Sequence, residues 1–303
     1  MSRLNKFGIL LFLLAGALFS FFTYRRSQGV DGSGPVMTID SDVLEISVKD
    51  SAEALLQGIT ATDRKDGDVT ESVVLESLSA FIDTDTRLAT YAAFDSDKHV
   101  TRGARRIVYT DYTKPEFSMT QDLEYPTGRS DISINGIKVQ DCIDGDISSF
   151  IKVKLDPAYD IDEEGEYETE FSIVNSAGDK ASFKAYITIY DNAETKGPQF
   201  DIVDNEYLIY LDRGDAFYPF DYIEDVKIGG RKYNIVEGSG NYGAEKIEKG
   251  EKIVVGRNQI DVEGEVDTET PGEYVIKFSM TVDAGNQETV TGSRRIYVMV
   301  RDN

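Results

Sequence analysis

The chain has no tryptophan, one cysteine, one histidine and seven prolines in 303 residues. A single cysteine excludes an intramolecular disulfide, so each domain must be held by its apolar core alone. Units of about 80 to 105 residues can manage that. One histidine, His99, and one cysteine, Cys142, are poor material for zinc, which takes three or four His, Cys or carboxylate ligands. A Ser–His pair would need a nucleophile and an orienting acid in a shaped pocket, and DSDKHVTRG around His99 reads as a hairpin tip. Basic residues are also scarce: 32 Lys and Arg stand against 55 Asp and Glu, a formal net charge of −23. A field of that sign repels nucleic acid and anionic headgroups and suits an exposed, soluble surface. No enzyme and no nucleic-acid partner are expected.

Long hydrophobic runs are absent after residue 26. The one before it, residues 7–24, is uncharged, rich in Leu and Phe, and just long enough for a hydrocarbon core of about 30 Å. Arg3 and Lys6 precede it; Arg25 and Arg26 follow. The competing reading is a cleaved signal peptide, with Ala15-Gly16-Ala17 as the small-x-small site. Cleavage there would leave LFSFFTY exposed, so an uncleaved signal-anchor over 1–26 is expected, a single-pass transmembrane helix in the cell membrane. A long domain is exported largely regardless of its charge, which places 27–303 outside the cell. Residues 27–35, SQGVDGSGP, form a linker.

What is present is repetition. GEYETEFSIVNSAGD, beginning at Gly165, aligns without a gap on GEYVIKFSMTVDAGN, beginning at Gly272. TYAAFDSDKHVTRGARRIVYTD is a looser first copy. Polar links ending in Pro recur at YTDYTKPEF and IYDNAETKGPQF, and they set boundaries at 36–112, 113–192 and 197–303. Within the second copy Tyr167, Thr169, Phe171 and Ile173 alternate with Glu166, Glu168, Glu170 and Ser172. Phe183, Ala185, Ile187 and Ile189 alternate in the next run, and NSAGDK between them supplies a turn. Short alternating strands in units of this size predict an all-β chain of β-sandwiches.

GITATDRKDGDVTESV at 58–73 and GIKVQDCIDGDISSFI at 136–151 resemble the opening of bacterial immunoglobulin-like surface repeats: a strand ending in Asp, an Asp-Gly-Asp turn, then Val or Ile. GEYETEFSIVNSAGDKASFKAYITIYD resembles their closing half. The resemblance covers roughly 36–303. It implies three tandem immunoglobulin-like domains on a cell-surface protein, chiefly of Gram-positive bacteria, with adhesion or scaffolding as the expected role. The third copy departs from it: DYIEDVKIGGRKYNIVEGSGNYGAEK replaces the Asp-Gly-Asp turn with a longer Gly- and Tyr-rich insertion.

Two candidate sites follow. Asp63, Asp66 and Asp68, with Asp141, Asp144 and Asp146, could supply carboxylates to calcium, which takes six to eight oxygens. The spacing is not that of an EF-hand. The simpler reading has Gly67 and Gly145 at positive φ, with the flanking carboxylates bonded to backbone N–H groups. Calcium is thus the one cofactor in question. The second candidate is a partner-binding surface in the third unit, which is rich in aromatics; Tyr218, Tyr222, Tyr233 and Tyr242 are its expected contacts with an unidentified protein or cell-wall partner. Gly238-Ser-Gly240-Asn-Tyr-Gly243 matches a dinucleotide fingerprint only in its glycines and is expected to be a loop, because no strand–helix unit surrounds it. Arg213-Gly214-Asp215 is expected to be a turn between strands.

Overall fold

Alternation of apolar and polar side chains produces strands throughout the computed structural model, which describes residues 3–28, 32–129, 132–191, 197–244, 249–285 and 288–302. Side chains of the first segment are described from 12 to 24. The chain divides into two compact units, Met1–Tyr112 and Thr113–Asn303. The expected link around 192–196 lies outside the described residues.

The first unit begins with a helix, α1 (Arg3–Gln28), whose 26 residues rise about 39 Å. Phe12, Leu13, Leu14, Phe19 and Phe22 on it are exposed. Both flanking basic pairs and the first part of the apolar run lie outside the described side chains. Among the described residues, no helix is long and apolar enough to cross a membrane.

Seven strands follow: β1 (Val36–Ile39), β2 (Val43–Ile46), β3 (Ile59–Asp63), β4 (Gly67–Asp68), β5 (Val74–Leu78), β6 (Thr86–Phe94) and β7 (Val100–Tyr109). One sheet runs β1-β3-β4 and the other β2-β7-β6-β5. The pairs are antiparallel except β2, which lies parallel to β7. The inward residues Ala61, Ala89, Tyr91, Ala93 and Ile107 are inaccessible to solvent and form the core between the sheets. Buried Arg105 donates to the carbonyls of Leu55 (2.9 Å) and Gln57 (2.6 Å), which pins the connection before β3.

In the second unit the same arrangement occurs twice. The strands β8 (Glu116–Met119), β9 (Glu124–Pro126), β10 (Ile137–Asp141), β11 (Gly145–Asp146), β12 (Lys152–Lys154), β13 (Gly165–Val174) and β14 (Lys180–Tyr190) form sheets β8-β10-β11 and β12-β13-β14-β9, with β9 parallel to β14. The alternation read from the sequence is seen directly: Phe171 pairs with Phe183 across β13 and β14, and their rings stack at 5.3 Å.

The last eight strands are β15 (Gln199–Ile202), β16 (Leu208–Asp212), β17 (Ile223–Ile228), β18 (Arg231–Val236), β19 (Val255–Gly256), β20 (Asp261–Glu263), β21 (Gly272–Gly285) and β22 (Glu288–Arg301). They form β15-β17-β18-β19 and β16-β22-β21-β20, again with a parallel pair, β16 and β22. Here the Gly-rich insertion becomes the β17–β18 hairpin, turned by Gly229 and Gly230 at φ 55° and 78°, a left-handed pair that side chains resist. The core of this unit is continuous, with Phe171, Phe183, Phe200, Phe278 and Tyr297 all buried in it.

Candidate functional site

The Asp-Gly-Asp motifs fold as closed hydrogen-bonded turns. Asp63 Oδ1 accepts the N–H groups of Lys65 (2.8 Å) and Asp66 (2.9 Å), and Asp141 Oδ1 accepts those of Ile143 (2.9 Å) and Asp144 (2.8 Å). Asp66 and Asp144 reach the neighbouring hairpin, where each accepts the N–H and the hydroxyl of a serine, Ser96 and Ser176. Asp68 and Asp146 accept the N–H groups of Thr70 (2.9 Å) and Ser148 (3.0 Å). Hydrogen bonds from those side chains and backbones hold both carboxyls below the usual range. Gly67 and Gly145 stand at φ 77° and 73°. The six carboxylates therefore point to six different sets of donors rather than to one centre. Among the described residues, no group of three or more His, Cys, Asp or Glu is placed to hold a metal ion.

The four tyrosines separate in the same way. Tyr218 is exposed, with 65% of its surface open. Tyr222 lies against the core and stacks on Phe217 at 5.2 Å, while Tyr233 and Tyr242 meet edge to face at 5.0 Å. Burial pushes the hydroxyls of Tyr222 and Tyr242 up from their ordinary value. Tyr222, Tyr233 and Tyr242 are thus half-buried and pack against the core, and Tyr218 is the most exposed of the four. The segment Gly238 to Gly243 is a loop that opens no helix. Asn241 closes it, accepting the N–H of Val254 (2.8 Å) and donating to Glu251 (2.9 Å). Gly240 passes so close to Gly256 that a Cβ there would lie 2.1 Å from its nitrogen. Gly214 turns the Arg-Gly-Asp stretch at φ 87°, and Asp215 accepts the N–H of Asp212 (2.9 Å).

A dense polar constellation lies where strands β8–β14 meet β15–β22 within the second unit, and sequence reading did not find it. Arg294 on β22 forms an ion pair with Asp122 and reaches Glu124 at 3.3 Å. Its neighbour Arg295 pairs with Glu166 and lies over the Tyr186 ring at 4.9 Å. Lys277 adds a second cation to Glu166 (3.1 Å). Tyr297, itself buried, accepts the Tyr186 N–H (2.8 Å), and Tyr210 accepts the Phe117 N–H (3.0 Å). Backbone joins backbone as well, with the Tyr207 N–H on the Met119 carbonyl (2.8 Å). Burial drives the Glu124 carboxyl up to about 7; Arg294 opposes that rise and Asp122 adds to it. A cavity of about 230 Å³ opens beside this cluster, lined by Glu124, Thr188, Tyr190, Pro198 and Arg294. The one advance signal was RRIYVMV, two adjacent arginines inside an apolar strand.

No curated protein matches the chain. The solved structure of CBM51-2 in complex with GlcNAc and INT domains from Clostridium perfringens ZmpB is 15% identical, over 50% of this chain and 41% of that one, with a TM-score of 0.21. The protocadherin GammaB4 extracellular domain is 12% identical, over 89% of this chain and 50% of that one, with a TM-score of 0.20. The chain thus spans half or less of either, and at those scores neither bears on function. A family model does match, over residues 227–298: bacterial surface protein, Ig-like domain. That match covers the later part of the sandwich whose turn departs from Asp-Gly-Asp, including β18 and most of the β21–β22 hairpin. Over residues 227–298 the all-β chain is therefore similar to a bacterial surface Ig-like domain, which supports the surface-repeat resemblance read from the sequence.

Proposed function

We propose that this chain is a non-enzymatic, extracellular scaffold, held at the membrane by its N-terminal helix, whose three immunoglobulin-like sandwiches present a binding surface on the third. The observation that carries the reading is the junction in the second unit. Arg294, Arg295 and Lys277 of one sandwich meet Asp122, Glu124 and Glu166 of the other, with tyrosine and backbone bonds between them. Charges buried in pairs specify one arrangement more than they add stability. A presenting module needs a fixed orientation, and this junction supplies one. The uncharged run at 7–24 supports anchoring, and exposed Tyr218 is the best-placed contact for a protein or cell-wall partner.

The test uses bacterial cells expressing the full chain. The scaffold reading expects the chain in the membrane fraction, release from it on removal of residues 3–28, and digestion of its β-sandwiches by protease added to intact cells. A soluble chain, or one that external protease cannot reach, would refute it. Purified chain should sediment with isolated cell walls, and Tyr218→Ser should weaken that. The alternative, a rod stiffened by calcium at the Asp-Gly-Asp turns, expects a melting shift at millimolar calcium that Asp66→Ala or Asp144→Ala abolishes. The engagement of those carboxylates by backbone donors favours no shift.

A further inference from the structure

The turns of the first and second sandwiches share the bonds of Asp63 and Asp141, of Asp66 and Asp144, and of Asp68 and Asp146 to backbone N–H groups, but they differ at one buried position. In the second, Asn175 accepts the Asp179 N–H through Oδ1 (2.9 Å) and donates its amide to Asp141 Oδ2 (3.0 Å). In the first, Asp95 holds the Asn175 position: its Oδ1 accepts the His99 N–H (2.8 Å), and Ser96 follows as Ser176 does. A carboxylate oxygen thus stands where the amide donor should be. The consequence is visible opposite: Asp63 is buried, and its Oδ2 has no hydrogen-bond partner, whereas Asp141 Oδ2 has one. Asp95 Oδ2 is instead met by His99 Nδ1 at 2.6 Å, and the Asp95 side chain is 1% exposed. His99 is the only histidine in the chain.

We propose that Asp63, Asp95 and His99 form a proton-dependent latch joining the β3–β4 turn to the β6–β7 hairpin. By the correspondence with Asn175 and Asp141, Asp95 faces Asp63, and two carboxylates in that relation repel each other unless positive charge enters. A hydrated metal ion is a poor candidate, because Asp63 Oδ2 is closed to solvent. A proton needs no room. With His99 charged, its Nδ1–H donates to Asp95 and offsets the pair. With His99 neutral, two carboxylates remain. The other charges on the turn and the hairpin tip are Arg64, Lys65, Asp66, Asp68, Asp97 and Lys98. Lys65 is already held by Asp97 (2.7 Å), and Asp66 by Ser96. An imidazole stabilised in its charged form contributes stability that is complete below the ordinary value of about 6.5 and lost as pH rises through its folded value. The latch is therefore closed in mild acid and loosened above neutrality. It operates in the first unit only and is independent of the scaffold reading.

Because the histidine is unique, its ring-proton NMR signal in the full chain reads the latch directly. The wild type should titrate above the ordinary imidazole midpoint of about 6.5. Asp63→Asn, which leaves the Asp95–His99 pair in place, should lower the midpoint by about half a unit or more. Asp95→Asn, which installs the amide of the second sandwich, should lower it further. Hydrogen exchange at residues 63–68, corrected for intrinsic pH dependence, should then quicken several-fold between pH 5.5 and 8 in the wild type and not in Asp95→Asn. A wild-type midpoint at the ordinary value, or one indifferent to Asp63→Asn, would overturn the proposal.

Discussion

Replacing Glu124 by Gln isolates the charge at the junction of the second unit. Burial pushes the wild-type carboxyl up to about 7 from its ordinary 4.5. Each unit of difference corresponds to about 1.4 kcal/mol, so the shift amounts to about 3 kcal/mol. The side chain keeps 31% of its surface exposed, and solvent screening reduces the expected effect to about 1–3 kcal/mol. The direction follows from linkage. A carboxyl whose folded value is raised costs nothing while both states are protonated, below about pH 4.5. It costs progressively more as pH rises toward 7, where the folded state too must carry the charge. Glutamine keeps the shape and never ionises. Urea unfolding of full-length wild type and Glu124→Gln, followed by circular dichroism from pH 4 to 8, should give equal stability in acid. The variant should lead by about 1–3 kcal/mol at pH 8, in the transition of the second unit. The difference between the two curves cancels titrating groups distant from Glu124 and reports Glu124 together with its neighbours Asp122 and Arg294. Parallel curves across that range, or a variant weaker at pH 8, would refute the reasoning.

Three further outcomes are expected. Arg294→Met leaves Asp122 and Glu124 facing each other without their cation and should cost about 3–5 kcal/mol in the second unit while the first melts unchanged; calorimetry of the full chain resolves the two. Asp141→Ala removes the acceptor for two backbone N–H groups and for the Asn175 amide, and should cost about 3 kcal/mol by urea unfolding; Asp63→Ala should cost less, since one of its oxygens bonds nothing. Gly292→Ala would put a methyl group 1.7 Å from the Pro198 carbonyl oxygen, where two backbones cross, and should destabilise the second unit by about 3 kcal/mol; a thermal melt equal to wild type would contradict that packing.

Alternation and turn chemistry were legible because both are local. Tyr167, Phe171 and Ile173 point inward because a pleated strand has a period of two, and glycine at positive φ identified both Asp-Gly-Asp turns. The tyrosines of the third unit were less legible. Composition offered Tyr222, Tyr233 and Tyr242 as surface contacts, and the structure makes each of them half-buried: Tyr222 stacks on Phe217 and the other two pack on each other. An aromatic ring is equally suited to a core and to an interface, and only its neighbours decide between them.

By itself, the amino-acid sequence determined the all-β class, the repeated strand–turn–strand unit, the absence of covalent staples and the acidic surface. Each follows from residue types and their spacing along one chain. Tertiary structure alone decided that Arg294 and Arg295 lie in a junction, that Asp95 stands where its counterpart Asn175 donates to Asp141, and that three of four candidate tyrosines are half-buried against the core. Those facts depend on which residues meet across sheets from distant parts of the chain. Electrostatic and packing energies depend on separation in space, which sequence spacing does not specify.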